Sequence, residues 1–377
     1  MKYRQLGKLG NEVSILGFGC MRFPTDEDQL IKRDESEAML LAAIKSGVNY
    51  LDTAYPYHNG ESELFVGEFL KKHNMRDKIF LATKLPSWLI HSKADMKKYI
   101  TEQLEKLQVD YIDYFLLHAL NKDHWQNYKD NGVFEFITEM IDVGVIKEIG
   151  FSFHDEYEVF EQIINEYDGW SFCQIQLNYM DEEYQAGLKG LRLAESKGID
   201  VIVMEPLKGG NLTAAIPDDI QEVWDNSDVK RKPARWALEY VWQYDNVKLV
   251  LSGMSAMNQV TQNVETANAY EKGGLSDHDK AIISKVAEIY KSRTKVPCTA
   301  CQYCMPCPYG VNIPEMFTIY NEGARFLNMD AFKWHYNERL KDANADLCTA
   351  CGVCVEKCPQ FIQIPDRLAE VKAELKY

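Results

Sequence analysis

The sequence predicts an α/β protein, a (β/α)8 TIM barrel followed by a small, mainly helical C-terminal module. Three observations predict it. From about residue 14 to 270, short apolar runs alternate with amphipathic stretches, the pattern of buried parallel strands and covering helices. After about Ser276 the alternation stops. Beyond it, most of the 10 cysteines fall into two ladders, "CTACQYCMPCP" (298–308) and "CTACGVCVEKCP" (348–359).

In chain order, "KYRQLG" and "EVSI" read as a small hairpin that plugs the barrel floor. The candidate barrel strands are "SILGFGC" (14–20), "VNYLDTA" (48–54), "KIFLATK" (78–84), "YIDYFLLH" (111–118), "VIKEIGFS" (145–152), "FCQIQL" (172–177), "IDVIVME" (199–205) and "VKLVLSG" (247–253). The segments between them read as helices. "MKKYITEQLEKLQ" (96–108) is the clearest, with Ile100, Leu104 and Leu107 on one face and charges on the other. "HDKAIISKVAEIYKS" (278–292) reads as one more helix, and a domain boundary is expected near 292, giving a barrel over 1–292 and a module over 293–377. The ladders are separated by a helical spacer (313–343) and followed by a last helix (364–376).

Hydrophobic residues make up 46% of the chain and charged residues 26%, as in globular proteins. The 42 basic and 57 acidic residues leave a net charge of −15. That balance argues against nucleic acid or an anionic membrane as partner, since both call for Lys/Arg clusters. The start, "MKYRQLGKLG", has no apolar segment of the kind that begins a secretory signal, and no run reaches the length of a membrane span. The expected location is cytoplasmic. Thiols stay reduced there, so the ladders read as metal ligands rather than disulfides.

In such a barrel the chemistry lies where strands run into the following loops. Asp52, Lys84 and His118 fall at the ends of three consecutive predicted strands, and Tyr57 follows Asp52 in "DTAYPY". A phenol titrates near pH 10, too high for easy proton exchange near neutrality. A neighbouring ammonium favours the phenolate. Asp52 can hold Lys84 charged and in place, and His118 can bond either the phenol or a bound carbonyl. The set suits proton transfer to a carbonyl oxygen while another group supplies hydride.

These residues resemble the catalytic tetrad of the aldo-keto reductase superfamily. "YLDTAYPYHNGESELFVG" is similar to its Asp–Tyr signature, "LATK" to its Lys segment and "DYFLLH" to its His segment. The resemblance covers roughly 1–290 and implies NADP or NAD as cofactor and reversible interconversion of a small-molecule carbonyl and alcohol. It implies Tyr57 as acid/base, Lys84 and Asp52 as groups that tune it, and His118 as the group that orients the carbonyl. It places the cofactor on "IGFS", "QIQLNY", "EPLKGG" and "SGMSAMNQVTQN", hence on Ser152, Gln176, Met204, Pro206, Leu207, Lys208, Gly209, Gly210, Gly253, Ser255, Gln259 and Asn263. Phe153 stands where the family usually has an Asn, and Met204 where an aromatic often stacks on the nicotinamide. The stretch 252–263 holds no Arg or Lys to clamp a 2′-phosphate; Ser255, Gln259 and Asn263 offer neutral contacts only. The resemblance still puts NADP first.

The second ladder, Cys348, Cys351, Cys354 and Cys358 before Pro359, fits the C-x2-C-x2-C-x3-C-P run of bacterial ferredoxins. The first, Cys298, Cys301, Cys304 and Cys307 before Pro308, is one residue shorter at its last gap. In two-cluster ferredoxins the fourth cysteine crosses to the other cluster. The resemblance to a ferredoxin-like domain therefore implies two [4Fe–4S] clusters, one on Cys298, Cys301, Cys304 and Cys358, the other on Cys348, Cys351, Cys354 and Cys307. A pair of zinc sites is the alternative. Cys20 and Cys173 read as small core residues.

The combination leaves three functional readings. One is a carbonyl reductase whose cluster domain is a fused electron relay or docking module, served by an external electron-transfer partner. A second is an electron-transfer protein that binds nicotinamide and does little carbonyl chemistry. A third gives the clusters a structural role. Tyr55 and Trp88 read either as walls of a substrate pocket or as packing.

Overall fold

The computed structural model describes every residue of the chain except Ala215. Its contacts sort the chain into two compact units: Met1–Thr213 with Arg231–Ser276, and Ala214–Lys230 with Asp277–Tyr377.

The first unit is built on a closed parallel barrel. Its strands are β3 (Leu16–Gly19), β4 (Tyr50–Asp52), β5 (Phe80–Leu85), β6 (Ile112–Leu120), β7 (Ile146–Phe153), β8 (Phe172–Gln176), β9 (Asp200–Met204) and β10 (Val247–Ser252), and β10 closes on β3. The expected (β/α)8 barrel is therefore present. Before it, β1 (Tyr3–Leu6) and β2 (Asn11–Ser14) form an antiparallel hairpin. Leu6 and Val13 are buried against Tyr50, Tyr114, Phe172 and Leu249, near the starts of the barrel strands. Tyr114 donates its hydroxyl to the Leu6 carbonyl at 3.2 Å and accepts from Asn11 at 3.1 Å. The hairpin closes the floor, so the mouth is left at the strand C-termini.

Strand register sets what reaches that mouth. Asp52 lies opposite Ala82, and Lys84 lies opposite Leu116. Lys84 is thus two residues beyond the partner of Asp52, and His118 two beyond the partner of Lys84. Side chains alternate with period two, so all three share the inward face and rise in steps around the barrel. Where β7 meets β8 there is no room for a side chain. A Cβ on Gly150 would sit 2.6 Å from the Phe172 carbonyl oxygen.

The helix read around 96–108 spans Lys93–Leu107. The Ser92 side chain accepts the Asp95 N–H at 3.3 Å, and Asp95 accepts from the Ser92 hydroxyl at 2.9 Å, an acidic version of the capping box. Its buried face holds Met96, Ile100 and Leu107, together with Gln103. Gln103 Nε2 donates to the Lys84 carbonyl at 3.0 Å and to Glu63 at 2.8 Å. One side chain thus grips the end of β5 from outside the barrel.

The second unit is mainly helical. It contains the helices Asp218–Trp224, Asp277–Ser292, Ile313–Arg325, Met329–Trp334 and Ile364–Leu375. Val296, Val311, Met316, Phe317, Tyr336, Leu368 and Val371 form its core. Cys298, Cys304, Cys307, Cys348, Cys354 and Cys358 pack against that core. Asn321 is buried in it. Its amide oxygen accepts the N–H groups of Lys295 and Val296 at 3.1 and 2.9 Å, and its nitrogen donates to the Val296 carbonyl at 2.8 Å. These bonds pin the chain just before the first ladder. One guanidinium nitrogen of Arg293 reaches both carboxylate oxygens of Asp219 at 2.6 and 2.7 Å, and the other donates to the Arg325 carbonyl at 3.0 Å. Among the described residues no helix is long and apolar enough to cross a membrane.

The tight β7–β8 contact makes a prediction. Gly150→Ala should destabilise the barrel by about 1–3 kcal/mol through overpacking, read as a lower urea midpoint; an unchanged midpoint would contradict the close approach.

Candidate functional site

Lys84 is the centre of the mouth. It is 1% exposed, and its ammonium has three acceptors: Asp52 Oδ1 at 2.5 Å, the Thr53 carbonyl at 2.9 Å and Tyr57 Oη at 3.1 Å. An ammonium has three protons to give, and each is placed. Burial opposes the charge on Lys84, but Asp52 and Tyr57 outweigh it and hold the ammonium above its ordinary value. Burial likewise pushes the Asp52 carboxyl up, with Lys84 and the Gln174 amide pulling it back.

Tyr57 follows β4 in a single turn, Tyr57–Gly60, in which His58 and Asn59 adopt left-handed backbone angles. Since Tyr57 Oη accepts from Lys84, its own proton is left to point elsewhere. Burial raises this phenol above the usual value, and the Lys84 charge only partly offsets that. The lowering anticipated from a neighbouring ammonium is thus present but outweighed, and the phenol carries its proton at neutral pH. His118 stands edge-on to Tyr57, ring centres 6.0 Å apart. Burial, then the Lys84 charge, drives its imidazole well below the usual value, so the ring is neutral. Its Nδ1 is buried and has no hydrogen-bond partner among the described residues. Trp88, 41% exposed, tilts over the His118 ring at 5.3 Å, as a pocket wall would. Tyr55 does not join it. Its hydroxyl bonds Glu102 at 3.0 Å and its ring lies under Lys106 and against Tyr99, so it packs on the helix outside the barrel.

The twelve residues expected at the cofactor fall into three groups. Met204 ends β9, and Pro206, Leu207, Lys208, Gly209 and Gly210 form the turn after it. Gly209 and Gly210 have φ of 65° and 97°, which only glycine adopts without strain. Gly253, Ser255 and Gln259 lie exposed after β10, where Gln259 Oε1 accepts the Ser255 N–H at 2.8 Å. Ser152, Gln176 and Asn263 are engaged within the protein. Ser152 Oγ accepts the Ala119 N–H at 2.7 Å, and buried Asn263 donates to Ser252 at 3.0 Å. Gln176 donates to Asp181 at 3.1 Å, and Asp181 in turn pairs with Lys208 at 2.8 Å. The glutamine of β8 that reaches the Asp52–Lys84 pair is Gln174, whose Oε1 is buried with no hydrogen-bond partner among the described residues.

Sequence reasoning also missed Arg22. Its side chain runs beside Gly253, where a Cβ would come within 2.9 Å of Arg22 Cδ, and beside Gly209. Its guanidinium is 3.5 Å from Glu205, whose other oxygen accepts the Gly209 N–H at 2.5 Å. A cation and a glycine N–H are thus held by one carboxylate across the mouth. The only sequence signal was the place of Arg22 just past the first barrel strand.

In the second unit, Cys298, Cys301, Cys304 and Cys358 line one cavity with Ile313, Phe317 and other apolar side chains. Cys354 has Cys348, Cys351 and Cys307 as its neighbouring thiols. Burial pushes the Cys304 thiol up to about 11, and Cys298 and Cys354 also rise through burial and mutual repulsion. Thiols that raise one another in this way suit a positively charged inorganic core, which would offset their ionisation. The two ladders repeat one backbone pattern: Ala300 and Ala350, then Gln302 and Gly352, all have positive φ. The Ala300 N–H donates to Cys298 Sγ at 3.4 Å. Cys20 and Cys173 are fully buried in the barrel, as expected of core residues.

Comparison with known proteins bears on both units. The sequence model of the aldo/keto reductase family matches residues 15–288, and that of the 4Fe-4S dicluster domain matches 297–363. The second match favours iron–sulfur over zinc. The chain is 28% identical over 324 residues to the uncharacterized oxidoreductase YqkF of Bacillus subtilis, covering 76% of this chain and 99% of that protein. It is 25% identical to L-galactose dehydrogenase of Arabidopsis thaliana, covering 78% of this chain and 97% of that protein. Among solved structures, the holo form of aldo-keto reductase AKR11C1 from Bacillus halodurans superposes with a TM-score of 0.63 at 30% identity, over 76% of this chain and 96% of that one.

Proposed function

This chain belongs to the aldo/keto reductase family of oxidoreductases and carries a C-terminal 4Fe-4S domain, and on that footing we propose that it interconverts a small carbonyl compound and its alcohol, with Tyr57 as acid/base. One observation carries the reading: Lys84 spends its three protons on Asp52, Thr53 and Tyr57. Tyr57 Oη is therefore an acceptor towards Lys84 and a donor towards the mouth. In reduction it gives its proton to the carbonyl oxygen. The fixed ammonium stabilises the phenolate left behind. Neutral His118 hydrogen-bonds the same carbonyl and orients it, and Trp88 covers the pocket. Bound nicotinamide supplies or accepts the hydride. The Gly209–Gly210 turn and the exposed Gly253 would admit close approach of its phosphates, with Arg22 and Lys208 as cations beside that turn.

The family puts NADP first. With no cation in 252–263, NADPH and NADH should differ by no more than about tenfold in KM, since the charge-assisted clamp is missing. Ser255→Arg should lower KM for NADPH by about tenfold and leave NADH unchanged. Equal effects on both would take Ser255 away from the 2′ position.

For the cysteine module we propose two clusters with crossed ligands, the first on Cys298, Cys301, Cys304 and Cys358, the second on Cys348, Cys351, Cys354 and Cys307. When bound, they exchange single electrons. The functional division of the chain is taken near residue 292. Anaerobic addition of NADPH or NADH while following visible absorbance tests the relay. Bleaching means that nicotinamide electrons reach the clusters. Reduction by dithionite alone means that they are fed from outside or serve structure.

Tyr57→Phe should lower kcat by at least about 10²-fold, with nicotinamide binding and cluster content unchanged; retained turnover would remove Tyr57 from its role. The pH dependence follows from burial. Reduction needs the protonated phenol, whose value is raised, so its rate should show no alkaline limb below about pH 10. Oxidation needs the deprotonated phenol and should rise through the same range. Lys84→Met removes the charge that favours the phenolate, so the limb should move higher still as kcat falls. A reduction limb near about pH 8 would contradict the assignment.

A further inference from the structure

We propose that the charge-free rim of the first cysteine cavity is the docking surface for a small one-electron carrier protein, which seats on Tyr303 and Phe361. The inference rests on the reading of the module as an electron relay and adds where the electrons cross.

Charge distribution is the first ground. Basic and acidic residues are equal in number from Arg293 to Tyr377, so the excess of −15 lies wholly before them. No charged residue occurs from Val296 to Pro314, from Leu347 to Val355 or from Cys358 to Pro365. Glu356 and Lys357, side by side, cancel. The acidic remainder of the chain would draw a basic carrier to itself and away from this rim. A charge-free rim can be desolvated without breaking ion hydration, and it accepts a carrier whose own redox group is ringed by apolar side chains.

Exposure is the second ground. Gln302 and Gln360 line the cavity shared by Cys298, Cys301, Cys304 and Cys358. The residue after each is an aromatic held in water: Tyr303 is 66% exposed and Phe361 86%. Phe361 has φ of 54°, in the left-handed region. A bulky side chain there is strained, and no burial within the chain offsets it. Exposed aromatics of this kind are the residues that anchor protein interfaces. Cys301, at the same cavity, is itself exposed, so a ligand sulfur stands at the rim. In the proposed step one electron leaves the reduced carrier and enters the cluster. No bond is made and no proton moves.

The test uses the anaerobically purified full chain, with a purified bacterial two-cluster ferredoxin, chemically reduced, as protein probe and reduced methyl viologen as small-molecule probe. Phe361→Asp and Tyr303→Asp are each assayed for iron and sulfide, and the variant that keeps them decides. Cluster reduction by ferredoxin should slow by about tenfold or more, while reduction by methyl viologen stays within about twofold. The wild-type ferredoxin rate should change little between about 50 and 500 mM salt. An unchanged ferredoxin rate in the variants, or a steep loss of wild-type rate with salt, overturns the proposal. Absence of iron and sulfide from the wild-type protein instead overturns the relay reading beneath it.

Discussion

The barrel mouth depends on one buried cation. Taking an ammonium out of water costs several kcal/mol unless each proton finds an acceptor, and Lys84 finds all three, one of them an ionisable carboxyl at 2.5 Å. The acceptors come from β4 and the loop after it. They meet Lys84 because the register sets Lys84 two residues beyond the partner of Asp52, on the same inward face. Gln103 then fixes the carbonyl of the same residue from behind. The phenol and imidazole inherit their positions from this arrangement, before any substrate arrives. That is the condition under which fixed charge is most effective in a reaction.

The cysteine module answers a different constraint. A small helical core cannot enclose eight thiols cheaply, and six of them already pack against it. The left-handed positions repeated in the two ladders turn the chain so that cysteines three apart face one side. Cys358 at the first cavity and Cys307 beside Cys354 tie the start of the module to its end. Hydride moves two electrons and a cluster moves one, so the two units speak in different denominations of charge, and any exchange between them needs a step that splits the pair.

Much of this was legible in the chain. Strand alternation exposed the barrel, and the strand ends exposed Asp52, Lys84 and His118, because period-two geometry leaves few places for a polar residue to go. The cysteine spacing exposed the ladders. What stayed hidden was pairing over long sequence distances. Arg22 and Glu205 are remote in sequence, and neither looks special alone. Gln174 and Gln176 share a face of β8, so pattern could not say which would reach Asp52. Tyr55 and Trp88 looked alike as aromatics near the tetrad; only packing separated the one held by Glu102 from the one over His118. The excursion 214–230 reads as an ordinary barrel helix, since amphipathicity does not name the core it serves.

That excursion has a topological consequence. The chain enters the second unit at Ala214, leaves it at Lys230 and enters again at Asp277. The Arg293–Asp219 pair joins the two visits. The second unit is therefore built from two separate stretches of chain, one of them drawn from the segment between β9 and β10. A protease that cuts once near residue 292 would nick the molecule without parting it. Genetic excision at the same point would leave Ile220 and Trp224, now buried, without the residues beyond 292 in their unit.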